Sequence, residues 1–335
     1  MPDDGGLVLV EVDNDSPLPV AVAFAGPPVL CSRPPVDVPV QGIDLPAGAR
    51  VLPLGHRATI TVALGRGRAY VDRALPASLP NSAQVANGWL AIVERAGRFD
   101  LPDRSLVEMV TEARCDIALR GLGSADDPAE HLFGAHQLVR MLGGRDDVMP
   151  DVAEAVERLA RRLRRAGESP GEPAGESAAA LDAAEAVARL AGDDRAAADV
   201  DAVRRHLAAR GALGDRVWMP TLPQPTAARR VATIERMLAR GTDLLPDGIP
   251  AGWWGTDFEV HGVPTSPGSS VSFAVRWHGE RPAVLWETTG PSATLTASRA
   301  APGWTTDRPA GDALWPAPGR NASVPSGSDQ PASFS

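Results

Sequence analysis

The sequence contains no lysine, so arginine supplies all 33 of its strongly basic residues. We attribute this, together with abundant alanine, glycine and proline, to the base composition of the source genome and draw no chemistry from it. The net charge is −9 and no basic stripe stands out, so nucleic acid is not an expected partner. No apolar run approaches the roughly 20 residues that a membrane-spanning helix needs, so no membrane partner is expected.

Cysteine is also scarce, since the chain has only Cys31 and Cys115. Their wide separation builds no zinc site and does not favour a structural disulfide. No glycine-rich phosphate loop follows a strand, and no Ser/His/Asp order is evident. We therefore predict neither a metal nor a cofactor. The first residues lack the basic segment and apolar core of a signal peptide, so a cytoplasmic location is the expected default.

Residues 269–290 carry the clearest structural pattern in the chain. Val271, Phe273 and Val275 alternate with small or polar residues, which is the period of a half-buried strand. The four residues 278–281 contain a glycine that is free to adopt positive φ. The pattern therefore predicts a β-hairpin.

Three regions follow one another along the chain. Residues 1–78 hold short runs rich in valine and leucine between turn signals, which predicts a β-sandwich-like module. Residues 79–242 change to helical spacing and predict a domain of antiparallel α-helical hairpins, with a mobile loop at 167–176. Residues 243–315 return to strand character and predict a C-terminal β-module. The tail 316–335 is rich in proline, serine and glycine, and we expect it to be disordered.

Helical periodicity is strongest in six segments of the central region: 104–122, 128–142, 149–165, 177–190, 194–209 and 226–239. His136 lies on the apolar stripe of the second segment. We expect it to be a hydrogen-bonded core histidine.

A resemblance enters through short strings at the start of the helical region. Gly88-Trp89-Leu90, followed by Leu101-Pro102-Asp103 and a helix, is similar to the opening of six-hairpin, (α/α)6-barrel glycosidase-like proteins. That group contains glucoamylases, trehalases and glycogen-debranching relatives. The order of β-module, helical hairpins and β-module also resembles it. The resemblance implies a partial, shortened α/α-barrel and a carbohydrate-active protein that acts on or binds an α-glucan or oligosaccharide, as a glycoside hydrolase if it is active.

Asp126, Asp127 and Glu130 are the candidate catalytic residues, because they precede and open a helix at what would be the mouth of the barrel. Glycoside hydrolysis needs two carboxyl groups, one protonated to act on the leaving oxygen and one ionised. Enzymes of this type often carry an aromatic-Arg-Asp motif that contacts sugar, and the motif is missing here. Helix capping and compensation of the helix dipole are the alternative explanation of the three acidic residues, and the commoner role of such residues.

The candidate substrate-binding residues are Trp253, Trp254, Asp257, Glu259 and His261. If the segment is extended, its two acidic residues and its histidine share one face, where they could contact a divalent metal ion or the hydroxyl groups of a sugar. An exposed indole makes a stacking surface for a sugar ring, whereas a buried one is a core residue. The outward face of an edge strand is the alternative.

Two hypotheses besides hydrolysis remain open. The first is a non-catalytic protein that keeps the scaffold and binds a glycan or another protein through the region of Trp253 and Trp254. The second is a structural protein without a small-molecule site. Exposed indoles beside the acidic face would favour binding, and buried indoles would favour the structural role.

Overall fold

The computed structural model describes residues 7–25, 29–31, 35, 44–65, 80–124, 126–143, 148–166, 174–213 and 226–319. The chain divides into two compact units, residues 1–89 and 90–335, and helix α1 (Ser82–Val93) crosses the division. Helices and several sheets are both present, so the class is mixed α and β, as predicted. Within the described residues, no helix is long and apolar enough to cross a membrane.

The N-terminal unit contains five strands in two sheets: β1 (Leu7–Asn14), β2 (Val20–Phe24), β3 (Val29–Cys31), β4 (Arg50–Leu54) and β5 (Ala58–Gly65). One sheet has the order β1-β5-β3, and β2 pairs with β4. Leu52 and Leu54 of β4 share an apolar cluster with Val29, Ile60 and Val62 of the other sheet. Side chains from two sheets thus fill one core, as in a sandwich.

The larger unit begins with a 3₁₀ turn, Glu94–Ala96, and strand β6 (Arg98–Asp100). Six helices follow: α2 (Arg104–Arg120), α3 (Pro128–Leu142), α4 (Met149–Ala166), α5 (Ala174–Leu190), α6 (Asp194–Ala209) and α7 (Ala227–Leu238). They match the six predicted segments within a few residues at each end. The predicted mobile loop lies outside the described residues except for positions 174–176, which belong to α5.

Helix α3 is the centre of the helical bundle. Thirteen of its 15 residues are buried, and it packs against α2, α4, α5 and α7. A helix that is buried on every side belongs to a closed core. The helices of the described chain therefore form a bundle around α3 and not a barrel, which corrects the barrel-like part of the prediction.

The strands of the C-terminal region are β7 (Ala239–Arg240), β8 (Asp243–Leu244), β9 (Phe258–Ser266), β10 (Ser269–His278), β11 (Arg281–Thr289), β12 (Leu295–Thr296), β13 (Thr305–Thr306) and β14 (Ala310–Leu314). The main sheet is antiparallel with the order β14-β11-β10-β9-β6, and the short strands form a second sheet. The predicted hairpin is β10–β11. Its turn pairs His278 with Arg281, and Gly279 has φ 62°.

The inner face of the main sheet packs on the helices. One continuous apolar core includes Ile117 of α2, Leu132 of α3, Phe258 of β9, Phe273 of β10 and Trp286 of β11. The predicted domain boundary lies between residues 242 and 243. The helical segment and the C-terminal β segment on its two sides nevertheless share a single core. Of the predicted disordered tail, only residues 316–319 are among those described.

Candidate functional site

The predicted catalytic carboxylates lie in the loop before α3 and in the first turn of that helix. Asp127 is the N-cap of α3, and its Oδ1 accepts a hydrogen bond from the backbone N–H of Glu130 at 3.2 Å. The same carboxylate makes a two-point ion pair with Arg229 of α7, with Nη1–Oδ2 and Nη2–Oδ1 distances of 2.6 and 3.1 Å. Burial acts to raise the pKa of Asp127, but the hydrogen bond and charge of Arg229 outweigh it and lower that pKa. A general acid in glycoside hydrolysis needs the opposite shift.

Glu130 closes the start of helix α7. Its Oε1 accepts from the backbone N–H of Ala228 at 3.1 Å, and its Oε2 accepts from that of Arg229 at 3.2 Å and from the hydroxyl group of Thr226. A carboxylate at a helix N-terminus satisfies backbone donors and the helix dipole. Asp126 precedes these residues and is exposed. Two of the three carboxylates, Asp127 and Glu130, therefore cap helices, which is the alternative that the sequence left open.

The second predicted group lies at the start of β9. Phe258 and Val260 are buried, whereas Glu259 and His261 are partly exposed on the opposite face. The predicted alternation is therefore confirmed. Glu259 lies opposite Asp100 of β6 in the sheet, so a further acidic residue borders this face.

A β-bulge ends the face. His261 and Gly262 together lie opposite Ser272 of β10, and the N–H of Gly262 donates to Oγ of Ser272 at 3.1 Å. Bulges re-aim the side chains of a strand. The carbonyl group of Gly262 accepts a hydrogen bond from Arg140 of α3 at 2.7 Å. The bulge therefore attaches the candidate site to the helical bundle.

Arg276 of β10 contacts two of the predicted residues, Glu259 and Asp257. Its Nη2 contacts Oε1 of Glu259, and its Nε lies 3.9 Å from Oδ2 of Asp257. Nε2 of His261 is 3.1 Å from the other oxygen of Glu259. Oδ1 of Asp257 accepts a hydrogen bond from the backbone N–H of Trp277 at 2.9 Å. This bond connects the residue that precedes β9 to strand β10. The four side chains form a mixed donor and acceptor surface, which we call the β9–β10 polar face.

The polar face is open to solvent. The side chains of Glu259, Arg276, His261 and Asp257 are 30, 38, 43 and 55 % exposed, so a ligand in solution can reach this face. Hydrogen bonds from His261 and Arg276 lower the pKa of Glu259, which keeps it ionised as an acceptor. The sequence did not indicate that Arg276 belongs here, because its cross-strand partners depend on the bulged register.

The neighbouring tryptophans have different environments. Trp253 is buried and makes an edge contact with Phe258, with ring centroids 5.2 Å apart. Trp254 is 47 % exposed. It sits in a tight turn in which the N–H of Thr256 donates to the carbonyl of Trp253 at 3.1 Å, and Gly255 takes the positive φ that this turn needs. Of the predicted indole pair, only Trp254 can serve as a stacking surface.

A buried ionic cluster lies beneath the polar face. Glu235 of α7 accepts hydrogen bonds from Arg114 of α2 at 3.0 Å, and from Arg140 at 2.7 Å and Gln137 at 3.0 Å, both of α3. The two arginines also donate to backbone carbonyls of residues 93–97. Both side chains are less than a tenth exposed. The cluster fastens three helices to the turn before β6.

Burial sets the direction of the pKa shifts of Arg114 and His136, whereas the charges of the two arginines outweigh it and lower the pKa of Glu235. Burial lowers the pKa of Arg114 to about 10, against the opposing charge of Glu235. It also lowers the pKa of the neighbouring His136 to about 3, with the charge of Arg140 acting in the same direction. His136 is therefore a neutral buried residue, in accord with the prediction of a core histidine.

Sequence reasoning missed the buried cluster, although a signal existed. Arg114 follows Val110 by four residues and precedes Ile117 by three, so it lies on the apolar stripe of its helix. Glu235 likewise follows Val231 by four residues. Residues of opposite charge on two apolar stripes indicate a buried pair, because an unpaired buried charge is costly.

No metal site is evident in the described part of the chain, where no group of three or more His, Cys, Asp or Glu residues could hold an ion. No protein-family model matches the chain, and no match was found among curated proteins or solved structures.

Proposed function

We propose that the chain is a non-catalytic carbohydrate-binding protein that binds its ligand through Trp254 and the β9–β10 polar face. The exposed indole of Trp254 is the observation that carries the proposal. Trp254 lies on a tight turn, three residues before Asp257 in the sequence. The Cα atoms of Trp254 and Asp257 are therefore within about 11 Å of each other. An apolar ring beside fixed donors and acceptors is the usual composition of a site for a polar ring-shaped ligand.

The state of the carboxylates supports binding over hydrolysis. Asp127 is paired with Arg229, Glu130 caps the start of α7, and the pKa of Asp127 is lowered. The closed packing around α3 also differs from the open barrel that the glycosidase resemblance implies. The side chains of Glu259 and Asp257, in contrast, are 30 and 55 % exposed.

The ligand class rests on the resemblance to glucoamylase-type proteins, which implies an α-glucan or a related oligosaccharide. The polar face agrees with a neutral ligand. The carboxylates of Asp257 and Glu259 lie beside the guanidinium group of Arg276, and such neighbouring acceptors and donors suit the hydroxyl groups of a sugar.

The test is calorimetric titration of the full chain with a maltooligosaccharide. We expect Trp254→Ala to weaken binding by roughly tenfold or more, as for an exposed aromatic anchor. Leu190→Ala is the control, because Leu190 is equally exposed at 47 % and lies at the end of α5. Absence of binding by the unaltered chain, or an equal loss in both variants, would refute the proposed function.

A further inference from the structure

The segment after β14, residues 315–319, passes the ring of Trp254. It starts from a firm anchor, because Trp315 is buried and its N–H donates to the carbonyl of Pro282 at 2.8 Å. The carbonyl of Trp315 accepts from Nε of Arg281 at 3.1 Å. Two of the next three residues are prolines, whose fixed φ makes the segment stiff. We call residues 315–319 the strap.

Gly319 is the point at which the strap meets the indole. A Cβ atom added there would lie 3.3 Å from Cη2 and 3.9 Å from Cζ3 of Trp254, and Gly319 has φ 81°. At the other end of the ring, Nε1 of Trp254 donates to the carbonyl of Ile249 at 3.0 Å. The indole is therefore hydrogen-bonded at its nitrogen and bordered by Gly319 at its other end, while about half of the residue stays exposed.

Building on the binding role described above, we propose that the strap is a positioning element that fixes the indole of Trp254 for its ligand. Gly319 is the positioning residue, because a Cβ atom at this position would crowd the ring and the positive φ disfavours other residues. A ring that is already fixed loses less conformational entropy on binding, which increases affinity. Since one end of the ring is hydrogen-bonded and the other is bordered by Gly319, we expect the ligand to stack on a ring face, as a pyranose ring does.

The experiment uses the full chain labelled with fluorotryptophan and read by ¹⁹F NMR, with the signal of Trp254 assigned from its loss in Trp254→Phe. Gly319→Ala should shift this signal and weaken binding of a maltooligosaccharide by roughly three- to tenfold. Gly303→Ala is the matched control. Gly303 has φ 82°, and an added Cβ would meet no atom within 4 Å. It therefore introduces the same backbone strain without touching the ring.

The proposal is overturned if Gly319→Ala moves the Trp254 signal no more than Gly303→Ala does, or if it moves the signal and leaves affinity at the control's value. Failure of the binding role is distinguishable. In that case the unaltered chain binds no α-glucan, and the ¹⁹F signal alone still decides whether the strap positions the ring.

Discussion

The larger unit contains two clusters of arginine and carboxylate side chains, which have similar chemistry but differ in their exposure to solvent. In the buried cluster, Glu235 is shared by Arg114 and Arg140, and all three side chains are less than a tenth exposed. In the polar face, Glu259 is shared by Arg276 and His261, and each side chain is about a third or more exposed. The same ion pair can thus hold a fold together or remain available to a ligand, depending on its solvation.

Gly262 connects the two clusters. Its carbonyl accepts from Arg140 of the buried cluster, and it forms the bulge together with His261 of the polar face. The buried cluster therefore holds in place the strand on which the exposed residues stand. The comparison teaches that the carboxylates with the most contacts are structural, and that the less constrained ones are the better candidates for function.

The largest effect is expected at Glu235. The substitution Glu235→Gln removes the negative charge between two buried arginines, and we expect it to lower the free energy of unfolding by about 3–5 kcal/mol. Glu259→Gln should lower it by less than about 1 kcal/mol, because exposed ion pairs contribute little. Urea denaturation of both variants measures the difference. Equal losses in the two variants would contradict the distinction between the clusters.

The next effect is a dependence on pH. His136 has a pKa of about 3 in the folded chain and an ordinary value of 6.5 when unfolded. Between these values the unfolded state binds the additional proton, so stability falls as pH falls. The expected loss is about 1 kcal/mol between pH 6.5 and 5.5, and the slope approaches about 1.4 kcal/mol per pH unit below that.

Denaturation at pH 6.5 and 5.5 should reveal this slope in the unaltered chain, because few carboxylates titrate there. In His136→Leu the slope should be largely absent. An unchanged slope would show that His136 does not remain neutral in the buried cluster.

A smaller loss is expected at the helix cap. Glu130→Ala leaves the first N–H groups of α7 without their carboxylate, and we expect it to cost about 1–2 kcal/mol of stability. Asp126→Ala is the control four residues earlier, in the exposed loop, and should change stability by less than about 0.5 kcal/mol. A larger loss from Asp126 than from Glu130 would reverse the assignment of the cap.

Much of the fold could be predicted because it is local. The bounds of helix α3 were predicted, and so was the hairpin β10–β11 with its turn. Both predictions depend on periodicity and turn residues, which are patterns among residues close together in the sequence. The alternation of Phe258 and Val260 with Glu259 and His261 was readable for the same reason.

The candidate site required contacts between residues that are distant in the sequence. Arg114 and Glu235 are 121 residues apart, and Glu130 meets the start of α7 96 to 99 residues later. Strand β6 precedes all six helices of its unit and pairs with β9. Nor could the sequence show which of Trp253 and Trp254 is exposed, because that depends on a turn and on the core beneath it.

The most direct test of the account compares Asp127→Asn with Glu259→Gln in two assays, calorimetric binding of a maltooligosaccharide and release of reducing sugar. The account predicts that the unaltered chain binds without releasing sugar, that Glu259→Gln weakens binding, and that Asp127→Asn leaves it unchanged. The account would be contradicted if the unaltered chain released reducing sugar and Asp127→Asn did not. That result would place an active site at the start of α3.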